Sequence, residues 1–190
     1  TKLRMNDRSL IEELAAYLFK GISDKRNAVE DLFNTEITET DADVKYEIFC
    51  TVIDRINHIS ASIKPINETR YKQRNDFYTL FTFIDEHLAD VNDKILKFQY
   101  KTLLFINDES LITPSNDRYD SFKEYAIHCV SQSNSKNARI QRLSFFNDLL
   151  ANKNRKPTPA QDDLMDYIYH KYNRTLSICE LNNYYFIDIF

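Results

Sequence analysis

Three of the four histidines follow an acid by four residues: Asp54–His58, Glu124–His128 and Asp166–His170. On a helix such a pair shares one face. A carboxylate there can orient the imidazole, raise its pKa or join it as a metal ligand. A metal site needs three or four converging ligands, and no pair here has the two-histidine spacing of a zinc helix. The pairs therefore read as helix-surface ion pairs, and no metal is expected. His128 and Cys129 are adjacent, but helix neighbours point about 100° apart and do not face each other. No nucleophile–base dyad follows, and no catalytic residue is assigned.

Basic residues offer a second chemistry. Lys64–Arg74 carries a net charge of +3 and Lys136–Lys156 one of +5, whereas the whole chain carries −4. Clustered bases on an acidic chain can make a phosphate-contacting face. Arg70, Lys72, Arg74, Arg139 and Arg142 are the candidate nucleic-acid contacts, and Tyr71, between bases, could stack on a nucleobase. A third chemistry is aromatic docking. Tyr184, Tyr185, Phe186 and Phe190 crowd the C-terminal end, and Tyr and Phe are favoured at partner interfaces. These four are the candidate partner-binding residues. The competing reading for both groups is ordinary: a solvated charged surface and a tryptophan-free core.

Composition narrows the scaffold that must position these groups. The 190 residues contain one glycine (Gly21), four prolines and 25 Phe plus Tyr. A single glycine excludes phosphate-cradling glycine loops, dinucleotide fingerprints and nucleophile elbows. Hairpins tied by Asn-Gly or Asp-Gly turns are excluded too. No cofactor is expected. Cys50, Cys129 and Cys179 are odd in number and far apart, and read as reduced core residues of a cytoplasmic protein. No apolar run reaches membrane-span length and no signal peptide is visible. The chain opens on Thr1, which reads as an excised fragment of a larger protein.

Helical periodicity recurs throughout. Helices are expected over about Asn6–Lys20, stopped by Gly21, and over Asp24–Phe33 and Asp41–Ile63. The last of these is an apolar stripe ended by Pro65. Further helices are expected over Glu68–Ala89, Val91–Ile106, Asp117–Val130, Lys136–Ala151 and, opened by Pro159, Ala160–Tyr172. The three between Asp41 and Ile106 read as antiparallel bundle members. Asn152–Pro159 is polar and reads as a linker. The tail from Thr175 has β-formers but no evident pairing strand, and it is too apolar to stay in solvent. The expected fold is all-α: a multi-helix bundle of about seven to nine helices over residues 1–151. Residues 152–190 would be a linker, a C-terminal helix and a docked aromatic tail.

Three segments carry a family resemblance. The first is Leu3–Arg4–Met5–Asn6–Asp7 with Leu10–Ile11 and Leu14–Ala15–Ala16–Tyr17. The second is Arg74–Asn75–Asp76–Phe77–Tyr78–Thr79–Leu80–Phe81. The third is the Tyr125 helix, Ser133–Asn134–Ser135 and Arg139–Ile140–Gln141–Arg142–Leu143. Together they resemble the helical region of GmrSD-type proteins, a prokaryotic family with a ParB-like N-terminal domain. The resemblance implies a piece of a restriction or antiphage effector, whose nucleotide domain carries an Asp-Gly-Gln-Gln-Arg motif and whose C-terminus in some members is an HNH-type nuclease. Neither motif is present here, so no catalytic residue carries over. The implied role is a non-catalytic helical scaffold or interaction domain of a defence or DNA-processing protein. Its implied partners are the missing N-terminal domain, a partner protein or nucleic acid, and not a membrane. The alternative is a protein–protein module docking through the aromatic tail.

Overall fold

A computed structural model describes residues 2–189, with side chains from Arg8 onward. Eight α-helices are formed among these residues. They are α1 (Lys2–Lys20), α2 (Lys25–Phe33), α3 (Glu39–Ser62), α4 (Arg74–Glu86), α5 (Asp93–Asp108), α6 (Asp120–Val130), α7 (Lys136–Leu150) and α8 (Pro159–Tyr172). A two-stranded hairpin follows: β1 (Ile178–Leu181) pairs antiparallel with β2 (Tyr184–Ile187), Leu181 opposite Tyr184. The all-α bundle is thus observed, with the C-terminal segment docked. No helix among the described residues is long and apolar enough to cross a membrane.

Local chemistry accounts for the helix ends. Gly21 stops α1 at φ 73°, donating its N–H to the Tyr17 carbonyl at 2.7 Å, the left-handed stop that glycine makes cheaply. Thr38 caps α3 and Asn92 caps α5. Thr158 and Gln161 form a reciprocal capping box on α8, with Pro159 in the first turn. Asp24 precedes α2 but leaves that helix uncapped. Its carboxylate instead accepts the Lys136 N–H at 2.8 Å, so it caps α7 from 112 residues away.

The chain divides into two compact units. The first comprises residues 1–88 and 132–140; the second comprises 89–131 and 141–190. This division differs from the expected one at 151/152. It also separates the three central helices: α3 and α4 pack in the first unit, whereas α5 belongs to the second.

In the first unit α4 is buried nearly all round, presenting Tyr78, Leu80, Phe81, Phe83 and Ile84 with Asp76, Thr79 and Thr82. It starts later than its periodicity suggests. The chain before it makes two single 3₁₀ turns, Ile66–Glu68 and Arg70–Lys72, around an extended Thr69. That break buries Tyr71 completely, which makes it a core residue rather than a base-stacking one.

In the second unit Phe122 and Tyr125 of α6 meet Phe145 and Phe146 of α7, with ring centroids 4.7–5.6 Å apart. Gln99 on α5 donates to the Leu150 carbonyl at 3.0 Å. Asn152–Pro159, expected as a linker, is anchored here. Asn152 is 4% exposed, donates to the Gln161 side chain at 2.7 Å, and its carbonyl accepts the Tyr185 N–H at 2.7 Å. Gln161 donates to the Tyr185 carbonyl at 2.7 Å. The polar segment is a latch on β2.

The tail is a hairpin because Asn182 and Asn183 both take positive φ, 52° and 63°. A two-residue turn of this kind needs left-handed residues at both central positions, and Asn tolerates them. The three cysteines form no disulfide and are half-buried rather than core.

Candidate functional site

The structure turns most of the candidate phosphate contacts inward. Arg139 is 3% exposed and Arg142 1%, so neither can reach a nucleic acid. For Arg139 the cause is Glu13, itself 2% exposed, on the inner face of α1. Its carboxylate accepts from Arg139 at 2.5 Å, from Lys25 at 2.9 Å and from Arg74. Arg139 also donates to the Ser23 carbonyl at 3.3 Å and lies 4.2 Å over the Tyr78 ring, a cation–π contact. One buried acid thus gathers three bases from α2, α4 and α7 in the first unit. Arg70 pairs with the buried Asp76 at 3.2 Å. In the second unit Arg142 donates to the His128 carbonyl at 2.6 Å. Of the five candidates Lys72 alone is fully on the surface. Arg139 and Arg142 are therefore withdrawn as nucleic-acid contacts: partners distant in sequence have converted surface charge into internal clamps.

The aromatic tail is also internal. Tyr184 is 1% exposed and Phe186 2%, and Phe186 meets Phe98 of α5 with centroids 5.0 Å apart. Tyr185 is half-buried, and Phe190 lies outside the described residues. Tyr184 and Phe186 are consequently core residues of the second unit and not a docking patch. What the basic window keeps exposed is Lys136, at the start of α7, and the latch loop with Lys153, Arg155 and Lys156. Even there Lys153 pairs with Asp90 at 3.2 Å.

The acid–histidine pairs do not converge. Glu124–His128 stands at 3.9 Å and Asp166–His170 at 3.2 Å, the latter on the surface with Arg118 also on Asp166. No group of three or more His, Cys, Asp or Glu is arranged to hold a metal ion among the described residues. A denser titratable cluster escaped sequence reading. Glu109, at the end of α5, accepts from Tyr167, Lys171 and Tyr172 of α8. Burial would raise its pKa, but those hydrogen bonds outweigh burial and hold it down to about 2. Tyr167 and Lys171 are hydrogen-bonded at 2.9 Å, a spacing that can make a tyrosine acidic. Here burial and Glu109 push the Tyr167 hydroxyl up, so the cluster ties α5 to α8 and supplies no phenolate.

The first unit also exposes bulky apolar side chains. Ile11 is 55% exposed, Phe33 70%, Val44 49% and Tyr46 68%. Between α1 and α3 lies an open groove of about 290 Å³, walled by Ile11, Ala15, Phe19, Ile37, Tyr46 and Phe49. Among the described residues Lys45 is its only charged lining residue. The periodicity of α1 and α3 predicts core-facing stripes, and the stripes are present. What the sequence does not show is that α2 and the loop after it leave part of both stripes uncovered. Compared with protein-family models, with curated proteins and with solved structures, the chain finds no match.

Proposed function

We propose that this chain is a non-catalytic helical interaction domain whose working surface is the α1–α3 groove. The carrying observation is the groove itself: bulky apolar side chains left in solvent. Exposed apolar patches of this kind mark interaction sites. Of the two surfaces expected from sequence, Arg139 and Arg142 of the first and Tyr184 and Phe186 of the second are buried inside the fold. We place the domain in a multidomain prokaryotic defence or DNA-processing protein. That setting rests on the GmrSD-type resemblance alone; of its segments, the side chains of Leu3 to Asp7 lie outside the described residues.

Two titrations test the reading. Labelled single- and double-stranded DNA and RNA should show no steeply salt-dependent binding, since phosphate affinity scales with the number of free cations that meet phosphates. Steep salt-dependent binding would restore the nucleic-acid face and overturn the reading. In parallel, an anilinonaphthalene dye should brighten on the native chain and lose that signal in Ile11→Asp. A dye signal unchanged in that variant would remove the groove as the working surface.

A further inference from the structure

The stretch of chain that runs beside the groove is acidic. Residues 30–47 form the end of α2, the loop and the start of α3, and hold seven acids against one base, a net charge of −6. The acids Glu30, Asp31, Glu36, Glu39, Asp41, Asp43 and Glu47 are all exposed. The whole chain carries −4, so this stretch outweighs the net charge of everything else. Glu36 adjoins Ile37 of the groove wall, and Glu39 lies three residues before Ala42, another lining residue.

We infer that the groove receives a basic amphipathic helix of a partner protein, its apolar face on Ile11, Tyr46 and Phe49 and its Lys or Arg residues on the acidic rim. The inference rests on the interaction-domain reading and adds the chemistry of the partner. Helix-in-groove recognition needs an apolar trough of this kind, read by side chains at i, i+3, i+4 and i+7. A small ligand would want convergent polar groups to orient it, and among the described residues Lys45 is the only charged one lining the trough. A second copy docking face to face would bring −6 against −6, and like charges across an interface cost several kcal/mol. A basic helix meets both requirements, apolar contact and opposite charge.

The probe is a labelled amphipathic peptide of about 18 residues, long enough to hold a helix, with leucines at i, i+3, i+4 and i+7 and lysines elsewhere. A matched peptide carries glutamates in place of the lysines. Anisotropy with the intact chain should give saturable binding of the lysine peptide and about 10-fold weaker binding of the glutamate peptide at low salt. The gap should close as salt screens the rim. Glu36→Lys with Glu39→Lys should narrow or reverse the preference. Ile11→Asp with Tyr46→Asp should abolish binding; both positions are exposed, so an unchanged CD melt confirms that the fold survives. Equal binding of the two peptides, lost in the apolar double variant, would overturn the basic partner while leaving the docking surface. Binding of neither, or binding that persists in the apolar variant, would overturn the groove itself. A dimer in sedimentation that the apolar variant dissolves would name a second copy as the occupant and overturn the inference.

Discussion

Glu13 decides what Arg139 does. An arginine at this position of α7 reads from sequence as part of a basic run, and its partner lies 126 residues earlier. No local pattern marks that pairing: Glu13 sits on an amphipathic helix among leucines and looks like one more polar position. The signal, in hindsight, is an acid inside the apolar run of α1. Buried acids persist only when paired, because an unpaired charge in the interior costs several kcal/mol. The structure pairs Glu13 three times over. Removing its charge leaves Arg139, 3% exposed, without a counter-ion. Glu13→Gln should therefore cost about 3–5 kcal/mol, or on the order of 10 °C in Tm for a chain this size. The surface pair Arg8–Glu12, with Arg8 78% exposed, is the control: Glu12→Gln should cost under about 1 kcal/mol. Thermal melts of both variants check this, and equal losses would mean that the cluster is not the clamp described.

At the scale of elements, helices were legible because burial on one side of a 3.6-residue period writes itself into composition. The observed ends of α3, α7 and α8 fall within about two residues of the periodic stretches, the usual scatter of helix ends. Two elements were not legible, for different reasons. The start of α4 was hidden because Glu68–Gln73 can continue a helix, and burying Tyr71 outweighs that propensity. The hairpin was hidden because its turn uses Asn182–Asn183, with no glycine to announce it. That choice has a measurable cost. A left-handed residue strains any Cβ, most of all a β-branched one. Asn183→Gly should be neutral or stabilising by up to about 1 kcal/mol, and Asn183→Val should destabilise by about 1–2 kcal/mol. Chemical denaturation separates them; equal midpoints would mean that the turn does not hold positive φ in solution.

At the scale of the molecule, each unit is made from two separated stretches of chain, a division that local composition does not announce. Polar composition marks where a chain meets solvent, and Asn152–Pro159 is polar. It does not mark which distant segments meet, and Asn152 is buried against β2. The first unit depends on the returning residues 132–140 through named contacts. Lys25 donates its N–H to the Asn134 carbonyl at 3.1 Å, Asp24 caps Lys136, and Arg139 neutralises Glu13. Residues 1–88 alone keep the groove but lose all three. They also keep Glu13 with Lys25 and Arg74, whose side chains are about 30% exposed, and so retain its weaker partners. The fragment 1–88 should accordingly be helical by CD yet melt broadly. Adding residues 132–140 through a flexible Gly/Ser linker of about 20 residues, with a root-mean-square reach of roughly 25 Å, should restore a sharp transition. Arg139→Met in that fusion should undo the gain, because the cation that closes the Glu13 cluster is then missing while the helix remains. A fragment 1–88 that already melts as sharply as the fusion would show that the first unit is self-sufficient and that the returning segment only decorates it.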